Sequence, residues 1–382
     1  MHFLSAELKN FRNFKEVRVD FSTGLNVFLG ANGQGKTNFL EALYFLTRGT
    51  TFRYGQNVNL IRLGSQASMV NARAKEKDLL YDLSITLEGS RKTHSINEKK
   101  VATTKIAQKF GNVLFSPESL SSIKEGSEQR RILLDELLMN FSSANVDLIA
   151  EFKKALRTRN RLLKNHAEGL ATKHQTMALL EALEPSYLKL AGDLCNARIF
   201  ALRQILPEFS KAMSFINQNS VDISVEYVIS DQNAISWDQK MVIDALQKRI
   251  QQLRDAELDS GASLVGPQKH DVKFLYNQND SRIFCSQGQQ RALILSFKMA
   301  QIVYHRTVHG IYPVLMLDDV LSELDENKRN RLIEFLSQVE GQIFITTTDL
   351  SLPRALSATE TSTSSGTGQM AVIKINEGNV SV

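Results

Sequence analysis

Only two cysteines, Cys195 and Cys285, occur in 382 residues, so no disulfide framework can hold this chain together. A reducing cytosol is the compartment that this usage fits, and Cys285 reads as a small buried residue rather than a reactive thiol. No stretch reaches the ~18 uninterrupted apolar residues of a membrane-spanning helix. The first ten residues lack the apolar core of a signal peptide. The expectation is a cytoplasmic protein with no membrane partner. Internal repeats are missing as well. What is present is 42% hydrophobic and 23% charged residues, the balance of a soluble globular chain long enough for two or three domains. Its charge is uneven: residues 1–131 hold 20 Lys and Arg against 12 Asp and Glu, and the remainder holds 26 against 29. A basic first third makes a polyanion a candidate ligand, although charge alone leaves plain solvated surface equally open.

The most informative segment is Gly30-Ala31-Asn32-Gly33-Gln34-Gly35-Lys36-Thr37. An apolar run at 25–29 precedes it and a helical pattern at 38–46 follows, the strand, turn and helix that a phosphate-binding loop needs. Glycines let the backbone turn its N–H groups inward on phosphate oxygens, and the helix N-terminus adds partial positive charge. Lys36 then supplies a mobile charge for the β- and γ-phosphates, and the Thr37 hydroxyl is placed to ligate Mg²⁺. Nucleotide binding is the expectation.

Around this loop, alternating apolar and polar residues predict strands at 2–9 and 15–21 with a turn at 10–13. A short antiparallel meander follows at 67–73, 79–87 and 92–96, then a buried strand at 113–115. Helical spacing dominates 127–215, read as two or three long helices with one break at Glu184-Pro185. Leu156, Leu163, Leu170 and Met177 recur every seven residues there, a stripe assigned to core packing. A strand at 221–229 and a helix at 237–259 come next. Residues 357–368 are of low complexity and read as a mobile loop. The resulting division is 1–126 and 221–382 as two parts of one nucleotide-binding unit, with 127–220 as a helical arm.

The loop's partners lie late in the chain. Val314-Leu315-Met316-Leu317-Asp318-Asp319 is an apolar strand ending in two carboxylates. Asp318 is expected near the Mg²⁺ held by Thr37, and Asp319 where a base would orient the attacking water. Ser286-Gln287-Gly288-Gln289-Gln290-Arg291 leads into an almost wholly apolar helix at 292–303, which reads as buried. Ser and Gly at its head leave backbone N–H groups and a hydroxyl to cap phosphate oxygens. This arrangement resembles the signature of ABC-type ATPases, which completes a site across a dimer. Leu321-Ser322-Glu323-Leu324-Asp325 matches their D-loop, and Thr348 stands where most of them carry a histidine that senses the γ-phosphate. Lys36 and Ser286 are 250 residues apart, too far for a transporter subunit and too close for a long coiled-coil arm.

With Leu8-Lys9-Asn10-Phe11-Arg12-Asn13, Thr51-Phe52-Arg53, Leu114-Phe115-Ser116-Pro117-Glu118 and Gly266-Pro267 added, the sequence resembles the RecF family of bacterial recombination-repair mediators over nearly its whole length. Two positions depart from that pattern. Thr51 stands for the usual Ser, and Gln268-Lys269 replace a usual His and basic residue, which puts any role of that His in question here. The resemblance implies an α/β fold, an ABC-type ATPase head of mixed sheet and flanking helices with a short α-helical arm. It implies ATP and Mg²⁺ as cofactors. Gly30, Ala31, Asn32, Gly33, Gln34, Gly35, Lys36 and Thr37 would bind the nucleotide in one copy, and Ser286, Gln287, Gly288 and Gln289 would act from a second. Thr37 and Asp318 would hold the metal, with Asp319 and Thr348 joining Lys36 and Asp318 in slow hydrolysis. The implied partners are double-stranded and gapped DNA, an ATP-dependent homodimer, and RecR and RecO-type mediators that load a RecA-type recombinase, with roles in replication and the SOS response. Two other classes stay open from residues alone: a nucleotide-switched protein-interaction module, and a metabolic phosphate-loop kinase in which the signature and D-loop segments would have no role.

Overall fold

In chain order the elements begin with β1 (His2–Phe11), β2 (Phe14–Asp20), β3 (Leu25–Leu29) and α1 (Lys36–Arg48). A meander of β4 (Ala67–Glu76), β5 (Leu79–Glu88), β6 (Arg91–Ile96) and β7 (Lys99–Val101) follows, then α2 (Thr103–Lys109), β8 (Asn112–Phe115) and α3 (Pro117–Leu120). Next come α4 (Ser127–Phe141), α5 (Ser143–Ala167), α6 (Lys173–Asn217), β9 (Ile223–Ile229), β10 (Gln232–Asn233), α7 (Gln239–Ser260), β11 (Asp271–Tyr276), β12 (Asn279–Asp280) and α8 (Ser281–Phe284). The last stretch holds α9 (Gln287–His309), β13 (Val314–Leu317), α10 (Glu326–Leu336), β14 (Ile343–Thr347), β15 (Ala371–Asn376) and β16 (Asn379–Ser381). The computed structural model describes residues 1–53, 55, 57–351, 356 and 370–381; the low-complexity segment at 357–368 lies outside them.

Two compact units divide the chain. The first comprises 1–121, 211–220 and 286–382; the second comprises 122–210 and 221–285. These boundaries differ from the sequence division, because 221–285 belongs with the helices. The reason is pairing: β9 and β11 form an antiparallel ladder from Ile223↔Tyr276 to Val228↔Asp271, and α7 packs on α5.

The first unit contains two six-stranded sheets. One is antiparallel in the order β2-β1-β4-β5-β6-β7, with β7 a strand that the sequence pattern did not single out. The other has the order β16-β15-β3-β14-β13-β8 and is parallel from β15 to β8. A parallel sheet buried on both faces needs continuous apolar strands, and 25–29, 314–317 and 343–347 supply them. The two sheets and α1 share one core, rich in Phe3, Phe14, Phe28, Phe39, Phe45, Phe110 and Phe344. Phe28 and Phe344 stack at 6.1 Å. Each such ring removed from water stabilises the fold by roughly 1.5–3 kcal/mol. Every residue of α9 from Ala292 to Ile302 is buried, the polar Ser296, Lys298 and Gln301 along with the apolar majority.

The second unit combines α4, α5, α7 and most of α6 with the sheet β10-β9-β11-β12. Helix α6 runs 45 residues through Pro185 and Pro207 without the break expected at Glu184-Pro185. A proline inside a helix removes one hydrogen bond at a cost of ~3 kcal/mol. Burial of Tyr187, Ala191, Leu194, Leu202, Ile205 and Phe209 along the same helix offsets it. The heptad stripe is not continuous either. Leu163 is buried, but Leu170 is 73% exposed between α5 and α6. Helix α5 instead buries Val146, Ile149, Phe152, Arg159 and Leu163. Cys195 is buried, and Cys285 is only partly covered.

Candidate nucleotide site

Parallel strands gather loops at one edge, and ligands of such sheets bind beyond the carboxyl ends of the strands. Here β3 ends at Leu29 before the phosphate loop, β13 ends at Leu317 before Asp318, and β14 ends at Thr347 before Thr348. Hydrogen-bonded pairing sets β14 between the other two, with Leu317 opposite Ile345 and Thr347 opposite Leu29. Residues far apart in sequence meet by register.

The loop is wound as its glycines permit. Gly35, at φ 119°, caps the start of α1, and a Cβ there would lie 2.6 Å from the Asn13 amide nitrogen. Lys36 is only 3% exposed, and its Nζ donates to the carbonyls of Gly30 (2.9 Å) and Ala31 (3.0 Å), bridging the loop's mouth. Thr37 Oγ1 donates to Asp318 Oδ1 at 2.8 Å. Thr346 Oγ1 donates to the same oxygen at 3.0 Å and accepts from the Asp319 N–H at 2.8 Å. Asp319 adopts a left-handed conformation, φ 48°, which a short polar side chain tolerates. The chain turns there, and Asp319 lines a cavity of about 730 Å³ with Lys36, Thr37, Asn32, Arg53 and Thr348. Arg329 also faces this cavity, and its Nε has no hydrogen-bond partner among the described residues.

Burial pushes the Asp318 carboxyl up to about 6; Asp319 and Glu118 add to the rise, and the bonds from Thr37 and Thr346 oppose it. Among the described residues no cation pairs with Asp318. Its surroundings are hydroxyl and carboxylate oxygens, the hard donors that Mg²⁺ prefers. A buried carboxylate left without a countercharge beside a loop built for phosphates fits a bound MgATP.

The signature segment lies elsewhere on the first unit. Ser286 caps α9: its Oγ accepts from Gln289 N at 3.3 Å, and Gln289 Oε1 accepts from Ser286 N at 2.8 Å. The hydroxyl oxygen accepts within the helix cap, and its proton can still be donated. Ser286, Gln287, Gly288 and Gln289 do not line the cavity that holds Lys36 and Thr37. Arg291 ties α9 to the D-loop segment by donating to the backbone oxygen and the carboxylate of Glu323.

Three groups had no assigned role in the sequence reading. Thr346 was one threonine in a run of three, and only its register beside Asp318 distinguishes it. Arg12 forms two 2.9 Å bonds to the wholly buried Glu41 of α1, which also accepts from Thr51. Asn13 Nδ2 donates to the Gln34 carbonyl at 2.9 Å, and Asn13 Oδ1 accepts from Asn38 at 2.8 Å. For Arg12 and Asn13 the sequence signal is their place in Leu8-Lys9-Asn10-Phe11-Arg12-Asn13; Thr346 carries none.

Comparisons with known proteins agree with one another. The model of the RecF/RecN/SMC N-terminal domain matches residues 3–363. The DNA replication and repair protein RecF of Heliobacterium modesticaldum is 33% identical over 352 residues, covering 92% of this chain and 93% of its own. That of Halothermothrix orenii is 35% identical over 347 residues, covering 90% and 91%. A solved structure of the recombination mediator protein RecF with ATP, in the RecFOR pathway, superposes with a TM-score of 0.82 at 27% identity, covering 100% of this chain and 97% of that one. The Smc head domain derived from Pyrococcus furiosus, at a TM-score of 0.53 and 14% identity, shares the fold alone. No helix among the described residues is long and apolar enough to cross a membrane. Sequence, fold and strand-end geometry converge, and the chain belongs to the RecF family.

Proposed function

We propose that this chain is an ATP-switched DNA-binding protein of recombinational repair and replication-fork maintenance, acting in the cytoplasm. The observation that carries the reading is the bond between Thr37 and Asp318, which brings together two halves of a phosphate site 281 residues apart. Lys36 exchanges its two carbonyl partners for β- and γ-phosphate oxygens. Thr37 and Asp318 hold Mg²⁺, whose charge offsets that of the phosphates and of the buried carboxylate. Asp319 orients the attacking water, and Thr348 lies against the γ-phosphate. Ser286, Gln287, Gly288 and Gln289 of a second copy close over the nucleotide, so ATP joins two heads and slow hydrolysis parts them. The joined form binds double-stranded and gapped DNA and assists RecR and RecO-type partners in loading a RecA-type recombinase, a step that also feeds SOS induction. Membership of the RecF family and the ATP-bound relative support this reading.

The test is affinity for a gapped duplex with ATP, ADP or no nucleotide across a salt series. Tight binding is expected with ATP alone, weakening with a log–log slope of about −0.9 per phosphate contacted. Equal affinity in all three states would sink the proposal.

A further inference from the structure

The phosphate loop is braced from outside by a segment near the far end of the chain. Strands β15 and β16 are joined through Glu377 and Gly378, both left-handed (φ 49° and 77°), the pair that a two-residue hairpin turn requires. This turn meets Gln34. The Glu377 N–H donates to Gln34 Oε1 at 2.6 Å, and the Gly378 N–H donates to the Gln34 carbonyl at 3.2 Å. That carbonyl also accepts from Asn13 at 2.9 Å. Approach is close on both sides: a Cβ on Gly30 would lie 2.3 Å from the Ile375 carbonyl oxygen, and one on Gly378 would lie 2.7 Å from the Asn13 carbonyl oxygen.

We infer that the Glu377-Gly378 turn is a positioning element for the phosphate loop, and that Gln34 is the key it grips. In this arrangement the Gln34 side chain serves the hairpin rather than the nucleotide. Its acceptors are used on the outer side of the loop, which leaves the backbone N–H groups of 33–37 to be presented inward to phosphate. Grafting a loop onto a rigid element in this way raises affinity by removing the ordering cost at binding. The inference deepens the proposed function, since it takes nucleotide to be the ligand of the loop.

The test compares Gln34→Met, which keeps length and removes the acceptor, with Glu377→Gly, which keeps the N–H donor and relieves the left-handed backbone. Gln34 is partly exposed, so the fold should survive its replacement. Binding of ATP, KM against kcat, amide hydrogen exchange across 30–37 and thermal melting are read for each. For Gln34→Met the expected result is up to about a tenfold rise in Kd and KM at constant kcat, the loss of one hydrogen bond. Faster exchange in the loop and an unchanged melting temperature should accompany it, while Glu377→Gly matches the parent. Parental affinity and loop protection in Gln34→Met would overturn the inference. If the parent itself binds no ATP but Gln34→Met still loosens the loop, the nucleotide reading fails and the bracing stands.

Discussion

Buried charge is handled differently at Asp318 than in the helical unit, although Glu41, also in the nucleotide-binding unit, is paired with Arg12. In the helical unit, charges are matched by charges. Arg159 and Glu257, 3% and 1% exposed, form a 2.7 Å pair, with Ser263 and the Leu264 N–H taking the remaining valences. Arg130 grips Asp271 through two 2.8 Å bonds, and Arg198 reaches Asp135 at 2.7 Å. In the nucleotide-binding unit Asp318 is equally buried, yet among the described residues only the hydroxyls of Thr37 and Thr346 bond its carboxylate. Buried ion pairs are costly to break, whereas a buried carboxylate short of a cation is a candidate site for a ligand that would supply the missing charge.

The sharpest way to break this contrast is to remove the one cation of the phosphate loop. Lys36→Ala should weaken ATP binding by about a hundredfold, given ~1.5–3 kcal/mol for each charged hydrogen bond, with little change in melting temperature. Titration calorimetry reads the first effect and circular dichroism the second. In the other unit, Arg159→Ala strands Glu257 in the core and should cost ~3–5 kcal/mol in urea unfolding, with ATP affinity kept.

Asp318→Asn should separate stability from function. The Asp318 pKa is raised in the folded state to about 6 from its ordinary 3.8. The folded form therefore holds its proton longer than the unfolded one, and the contribution is fully present below pH about 4 and lost as pH rises through about 6. At pH 7.5 the ionised carboxylate costs at most roughly 3 kcal/mol in the nucleotide-free protein. Asparagine keeps the acceptor for Thr37 and Thr346, so this variant should melt higher at pH 7.5 and lose Mg²⁺-dependent tightening of ATP. A lower melting temperature would contradict the account. The smallest effect belongs to an exposed pair, Lys173 and Asp255 at 2.8 Å; Lys173→Ala should leave the unfolding midpoint where it is.

Sequence patterns located the strands that end at the site, because continuous apolar runs followed by Gly30–Thr37 or by Asp318-Asp319 carry their own periodicity and chemistry. They were silent where long-range pairing decides. Nothing local in 221–285 says that β9 seeks β11 or that Glu257 seeks Arg159, 98 residues away. Pro185 read as a break because the rule for isolated helices ignores the burial that carries α6 through it. The brace on Gln34 spans 343 residues, and the turn residues Glu377-Gly378 announce a hairpin without saying what it touches. Thr346 differs from Thr347 and Thr348 only by facing Asp318.

Light-scattering mass decides whether the phosphate loop and the head of α9 complete one site only when two copies meet around ATP. The protein and its Ser286→Arg variant would each be measured with Mg-ATP, with ADP and without nucleotide, alone and with short gapped DNA. The expected result is a monomer that becomes a dimer with ATP alone and carries the DNA with it, and a variant that binds ATP but stays monomeric. A mass indifferent to nucleotide, or a variant that dimerises as the parent does, would contradict it.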